Sequence, residues 1–173
     1  FLRDASLETF DSTPVPGTSF ADVDAASLSW FRGLLAQRNP DHARPGLSDQ
    51  QYLEEVGLLC ADGRLNHAGA LFFGRERVLA RIKPGGVVDF RLVRGPWAEQ
   101  MPEQRWDDRE LCEQNLVITL RALVERLSRL CPQPFEMEPG TAQRRADSPD
   151  YRVLREALVN LLAHQDYSDQ HRT

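Results

Sequence analysis

Residues 154–168 read LREALVNLLAHQDYS, and this stretch gives the strongest indication of the fold. Its apolar residues recur at helical spacing, which predicts a helix from Tyr151 to about His164. Within this helix, Glu156, Asn160 and His164 stand four residues apart. Because each residue of an α-helix turns by about 100°, positions four apart form one stripe along the helix. The stretch therefore predicts a largely apolar helix with a polar stripe.

The polar stripe has two interpretations. An amide oxygen beside a carboxylate suits Mg²⁺, a cation that takes few protein ligands and keeps several waters. Glu156 and Asn160 could therefore hold a metal-bridged phosphate and orient a water. A row of polar residues is also typical of the solvated face of an amphipathic helix. Spacing alone does not separate these two interpretations.

The region before this helix shows both strand-like and helical patterns. A strand rich in β-branched residues is predicted at Val87–Val93, and a short one at Phe135–Glu138. A long helix is predicted from Asp108 to Leu130, because apolar residues recur every three to five positions and charged residues fill the other side. This long helix could pack on the chain's own sheet or pair with a second copy as a coiled-coil-like dimer.

The N-terminal half predicts shorter elements joined by turns. The prolines and the glycine of Thr13–Gly17 indicate a turn or an extended segment. Helices are predicted at Asp22–Arg38 and, with Ser48 as the N-cap, at Asp49–Val56. The pattern of Leu65–Phe73 fits either a helix turn or a buried strand.

Together these patterns predict an α+β fold, with a helical subdomain and a small mixed sheet. Residues 1–19 are expected to be a tail and linker, and residues 20–106 an α+β connecting domain. Residues 107–173 are expected to hold the long helix and the last helix. A winged-helix arrangement of residues 48–93, with a short helix, a turn and strands, is an alternative for part of this region.

Composition limits the classes of function. Of the 173 residues, 41% are apolar and 27% charged, as in ordinary globular domains. A membrane-spanning helix needs about 20 consecutive apolar residues, and no apolar run in this sequence approaches that length. No membrane partner is therefore expected. The net charge of −5 is opposite to that of a typical free-standing nucleic-acid binder. Cys60, Cys112 and Cys131 form no metal spacing, and we expect buried thiols in a reducing cytoplasm.

Three stretches resemble a bacterial family of transcriptional regulators, known as divergent AAA proteins or by their similarity to the C-terminal region of RecG-like helicases. Residues 155–168, REALVNLLAHQDYS, resemble the family's REALVNALVHRDYS. Residues 14–24, PVPGTSFADVD, resemble its PVPGASLEDLD. Residues 57–74, GLL followed by DGRLNHAGALFFG, resemble its LGLL…DGRLTNAGLLLFG. The resemblance keeps the same order and covers nearly the whole chain.

The resemblance implies a fold and a set of site residues. In that family a Schlafen-type AlbA-like domain, thought to contact nucleic acid, precedes this region, and a GHKL-type ATP-binding domain follows it. The last helix would be the first motif of the ATP-binding α/β sandwich, called the N-box. Asn160 would then bind Mg²⁺ together with ATP, and Glu156 would position or activate a water. His164 and Asp166 match further family positions without an implied role, and Gln165 replaces the usual arginine.

The implied function is that of a piece of an ATP-binding transcriptional regulator, coupling a DNA-contacting domain to a nucleotide switch. The Asp-x-Gly-x-Gly segment and the glycine-rich lid of such ATP sites do not occur in these 173 residues. We therefore expect ATP binding and DNA contact to need a longer protein. The alternatives are part of a GHKL ATPase, or an interaction or dimerisation module with a vestigial nucleotide site. A cytoplasmic location is expected in all three cases, and a homo-oligomer is left open as an alternative to a monomer.

Overall fold

A computed structural model describes residues 9–93, 95, 106–131 and 149–169 of the chain. These residues form an α+β fold, as predicted, with seven α-helices and one small sheet. The elements in chain order are α1 (Ala25–Arg38), α2 (Pro40–Ala43), α3 (Asp49–Glu55), α4 (His67–Phe73), α5 (Glu76–Ile82), β1 (Val88–Leu92), β2 (Asp108–Cys112), α6 (Leu116–Leu130) and α7 (Pro149–His164). The strand predicted at 135–138 lies outside the described residues.

The chain divides into two compact units. The first comprises residues 1–117 and 167–173, and the second comprises residues 118–166. The second unit is therefore an insertion in the sequence of the first. It begins near the start of α6 and ends two residues after α7.

The described part of the predicted tail and linker, residues 9–19, is packed within the first unit. The backbone N–H of Val15 donates to the carbonyl oxygen of Leu65 at 2.8 Å. The buried Thr18 hydroxyl donates to the carbonyl oxygen of Val15 at 2.7 Å and accepts from the N–H of Leu65 at 3.1 Å. Prolines favour extended backbone, and here the extended segment pairs with another part of the chain instead of crossing solvent.

The segment that the pattern left undecided between helix and strand contains α4. Asn66 caps this helix, since its side-chain oxygen accepts from the N–H of Gly69 at 2.8 Å. The amide nitrogen of Asn66 donates to the carbonyl oxygen of Gly57 at 2.7 Å. A Cβ built on Gly69 would stand 2.1 Å from the carbonyl oxygen of Leu58. The helix therefore lies directly against the preceding turn, and this close approach requires glycine.

The helices with strong capping signals follow the prediction closely. Ser48 caps α3 in a capping box with Gln51, and α3 ends one residue before the predicted boundary. The first helix begins at Ala25, after Asp24 as its N-cap, and not at Asp22. The sequence did not predict α5, which has no side-chain cap at its start. Its weak local signal explains why it was missed.

The predicted long helix is shorter than expected, because Asp108–Cys112 forms a strand. This strand, β2, pairs antiparallel with β1, and Val88 lies opposite Cys112. The helix α6 begins only at Leu116. A mixed sheet was predicted, whereas the sheet in the described residues is a single antiparallel pair of strands. Residues 48–93 contain three helices and one strand, β1. The partner of β1 lies outside this range, so the range does not form the winged-helix alternative by itself.

Charged residues cluster on one face of the two-stranded sheet. Arg91 and Arg109 lie opposite each other, and both donate to the carboxylate of Asp89, whose side chain is 2% exposed. The guanidinium carbons of the two arginines lie 5.2 and 5.0 Å from the ring centre of Trp106. Hydrogen bonds from Arg109 and then Arg91 hold the pKa of Asp89 well below its usual range. Asp89 therefore balances two like charges that would otherwise repel across the strands.

Replacing Asp89 with asparagine is expected to lower the free energy of unfolding at pH 7 by about 1 kcal/mol, because it leaves two arginines facing each other. The depressed pKa of Asp89 in the folded protein means that its stabilisation is present above pH about 4, the unfolded pKa, and is lost as the pH falls below it. The difference between the two proteins should therefore shrink from pH 7 to pH 3. Urea unfolding at both pH values measures it, and a difference that does not change with pH would contradict this role.

The core of the first unit is built mainly from aliphatic side chains, together with one phenylalanine. Its most deeply buried large residues are Leu28, Leu53, Leu65, Phe73 and Leu79. As predicted, Cys112 and Cys131 are buried free thiols, but Cys60 is only partly buried. Burial, helped by the charge of Asp62, raises the pKa of the Cys60 thiol. Within the described ranges, no helix is long and apolar enough to cross a membrane.

Candidate functional site

The helix α7 carries the predicted polar stripe. It ends at His164 as predicted and begins two residues before the predicted Tyr151. Glu156, Asn160 and His164 are all exposed. Successive residues of the stripe are separated by about 6 Å along the helix axis. The structure thus makes Glu156 and Asn160 neighbours on one helical surface and places His164 at the helix end.

The apolar residues of α7 are only partly covered. Tyr151, Leu158 and Leu162 are buried and form one narrow strip. Other aliphatic side chains are 40–67% exposed, namely Val153, Leu154, Val159 and Leu161. A group of large aliphatic residues exposed on one helix marks a surface for further packing or binding more often than an ordinary solvated face.

An open depression surrounds the first two residues of the stripe. It has a volume of about 700 Å³, and Glu156 and Asn160 line it together with Arg152, Val153, Arg155 and Ala157. Arg152 precedes Glu156 by four residues and so extends the stripe by one turn. The depression therefore combines two guanidinium groups with a carboxylate and an amide. Sequence reasoning missed both arginines, although the four-residue spacing of Arg152 was a usable signal.

The donor atoms of this depression fit a magnesium ion carried by a phosphate. The side-chain oxygens of Asn160 and Glu156 are hard ligands, and Mg²⁺ uses one or two such protein oxygens with waters and phosphate oxygens. Within the described residues, neither side chain has a hydrogen-bond partner, so their lone pairs remain available. The two arginines match the charge of a phosphate group. The residues present therefore fit Mg²⁺ with a polyphosphate.

The other two predicted site residues lie at the far end of α7. His164 is the last helical residue, and Asp166 is exposed two residues later. Neither lines the depression around Asn160. Between them, Gln165 has both side-chain amide atoms buried without a hydrogen-bond partner among the described residues. The structure does not bring His164 and Asp166 into the Glu156–Asn160 surface.

The N-terminal half of the chain matches a known protein family. A family model described as "Domain of unknown function (DUF8451)" matches residues 1–89, just over half of the chain. The chain belongs to the DUF8451 family. The DUF8451 match includes α1 to α5 and ends at the second residue of β1. The stripe on α7 lies outside the DUF8451 region. A search among curated proteins gives no significant match.

A solved structure resembles the whole fold. It is the crystal structure of the DIP2311 protein from Corynebacterium diphtheriae, with a TM-score of 0.63 over 95% of this chain at 19% sequence identity. This chain spans 30% of the length of that protein. At this identity the likeness shows the fold alone. It covers residues well beyond the DUF8451 region, since that region is only about half of the chain.

Proposed function

We propose that this chain is part of an ATP-binding bacterial transcriptional regulator of the divergent AAA type. In this proposal it couples a DNA-contacting AlbA-like domain to a GHKL-type nucleotide site in the cytoplasm. The observation that carries the proposal is the depression on α7, where Glu156 and Asn160 lie beside Arg152 and Arg155. Mg²⁺ with a polyphosphate needs both hard oxygen ligands and positive charge, and this surface offers both.

Each residue of the depression has a role in this proposal. The amide oxygen of Asn160 binds Mg²⁺, and the carboxylate of Glu156 orients a water or accepts its proton. Arg152 and Arg155 donate charge-assisted hydrogen bonds to phosphate oxygens. When bound, Mg²⁺ neutralises charge on the phosphate oxygens.

The exposed aliphatic residues of α7 agree with an incomplete nucleotide domain. Side chains such as Val153 and Leu161 are costly to leave in water, at about 25 cal/mol for each Å² of apolar surface. In an α/β sandwich a helix of this kind is covered by the sheet. We therefore expect a longer protein to bury these residues, and the lid and base-binding motifs to come from the same added segment.

Calorimetry of ATP binding tests the proposal on this chain and on a protein extended beyond Thr173 by one domain's length, about 100 residues. Binding is expected only for the extended protein and only with Mg²⁺, and it should disappear when EDTA removes the metal. Absence of binding by both proteins would contradict the proposal. Binding by the short chain would show that the added segment is not needed.

A further prediction concerns Glu156 alone. In the extended protein, Glu156→Gln is expected to keep the affinity for Mg²⁺–ATP within about threefold and to lower the rate of hydrolysis by about 100-fold, since glutamine keeps the shape but cannot accept a proton. Phosphate release measured at saturating ATP checks it. A hydrolysis rate equal to that of the wild type would show that Glu156 does not activate the water.

The second candidate function is an interaction or dimerisation module with a vestigial nucleotide site. The exposed Val153, Leu154, Val159 and Leu161 favour it, because they would also suit a contact with a second copy. Sedimentation separates the two candidates. A dimer that Val153→Asp disrupts, in a protein that does not bind ATP, would favour the interaction module.

A further inference from the structure

The segment that follows α7, Tyr167–Asp169, belongs to the first unit and is held there by Lys83. This is the only lysine of the chain, and it is 2% exposed. Its ammonium group donates a hydrogen bond to the backbone carbonyl oxygen of Asp169. An ammonium group is costly to bury unless it is hydrogen-bonded. The contact with Asp169 therefore contributes to keeping Lys83 inside the protein.

Tyr167, in the same segment, is partly buried and lies within electrostatic range of a second part of the first unit. Burial, together with the negative charge of nearby Asp11, raises the pKa of Tyr167 to about 12. Asp11 lies in the 3₁₀ turn Phe10–Ser12, far from Lys83 in sequence. The segment is therefore bonded to Lys83 and lies near a second part of the first unit that is distant from Lys83 in sequence.

The other connection to the second unit also begins at a buried polar side chain. Asn115, directly before α6, is 1% exposed. Its amide nitrogen donates to the Ser27 hydroxyl and to the Gly74 carbonyl oxygen, each at 3.2 Å. The second unit starts three residues later, at Ile118. On each side of the inserted unit, the flanking residues of the first unit thus make hydrogen bonds with other parts of the first unit.

We propose that Tyr167–Asp169 is a strap that reports occupancy of the α7 site to the first unit, with Lys83 as its anchor. This inference rests on the proposed function. Asn160 lies seven residues before Tyr167 and four before the end of α7. A ligand that holds Glu156 and Asn160 stabilises the last turns of the helix against local opening. When the end of α7 is ordered, the strap loses less conformational entropy as it docks on the first unit. The bond between Lys83 and Asp169 therefore opens less often.

Chemical protection of Lys83 measures the closure of the strap. The extended protein is treated with an amine-reactive ester, and acylation of Lys83 is followed by peptide mass spectrometry with Mg²⁺ alone, with ATP and Mg²⁺, and with ATP and EDTA. The rate is expected to be about threefold lower with Mg²⁺–ATP than in the other two conditions, as local opening becomes rarer. Calorimetry on the same sample records ATP binding independently.

The outcomes separate the strap from the proposed function. Unchanged or faster acylation in a protein that binds Mg²⁺–ATP overturns the strap and leaves the nucleotide site in place. Absence of ATP binding overturns both.

A variant pair provides a second measurement. Because coupling is reciprocal, Lys83→Met is expected to weaken Mg²⁺–ATP binding by about threefold. Arg129→Met, a matched loss of a cation at an exposed position of α6, should leave it unchanged. Equal affinity of the Lys83 variant and the wild type would count against the strap. If the Lys83 variant fails to fold, the acylation of the wild-type protein still decides.

Discussion

Gly69→Ala is expected to lower the free energy of unfolding by about 3 kcal/mol, because the added methyl group meets backbone that cannot easily move. A Cβ at this position would stand 2.1 Å from the carbonyl oxygen of Leu58 and 3.3 Å from the capping oxygen of Asn66. Relief of this overlap requires α4 to move away from the turn that contains Gly57 and Leu58. The side chain of Asn66 holds the start of α4 to that turn through its hydrogen bond with the Gly57 carbonyl oxygen. Urea unfolding followed by circular dichroism measures the loss.

Gly33→Ala is the matched control, since it makes the same change inside another helix. Gly33 lies in α1 with nothing within 4 Å of its added Cβ. Here alanine should raise the free energy of unfolding by about 0.5 kcal/mol, because it has less backbone entropy to lose. If both variants were equally stable, the close approach of α4 to Leu58 would not constrain the fold.

Asn160→Ala is expected to weaken Mg²⁺–ATP binding by the extended protein by about 100-fold, equivalent to about 2.7 kcal/mol. The reason is that it removes the amide oxygen proposed to bind the metal. The residual affinity for ATP in EDTA should be unchanged, since only the metal-dependent part depends on this oxygen. Titration calorimetry with and without Mg²⁺ gives both values.

A charge control accompanies this prediction. Asn160→Asp keeps the shape of the side chain and an oxygen ligand but adds a negative charge beside the phosphates. Asn39→Asp makes the same chemical change at an exposed position after α1 and should not alter ATP binding. Wild-type affinity in Asn160→Ala, with Mg²⁺ present, would exclude Asn160 as a metal ligand and remove the main support for the nucleotide site.

Local signals predicted the elements that depend on nearby residues. The capping box of Ser48 and Gln51 and the glycine at position 57 specify α3 within ten residues, and α3 was predicted to within one residue. The prediction of a helix at Asp108–Cys112 was wrong. These residues form the strand β2 because they pair with β1, about 20 residues earlier in the chain. Leu111 fits a helical spacing as well as a strand, so periodicity could not reveal the pairing.

The site was only partly visible in the sequence, for a similar reason. The four-residue spacing of Glu156 and Asn160 depends on helix geometry alone, and the helix is confirmed. Their proposed roles come from the family resemblance and stay predictions. The arginines of the depression were missed because arginine is frequent throughout this sequence, so the four-residue spacing of Arg152 did not stand out. The packing of Val15 on Leu65 was missed because it joins segments 50 residues apart.

The bond between Lys83 and Asp169 also affects the order in which the protein can assemble during translation. The two residues are 86 positions apart, and the whole second unit lies between them. At about 5–20 residues per second, a ribosome needs several seconds to make that interval. Until then the ammonium group of Lys83 cannot donate to the carbonyl oxygen of Asp169, and the first unit cannot complete its contacts with the segment Tyr167–Asp169. The unit that is synthesised first is therefore the one completed last.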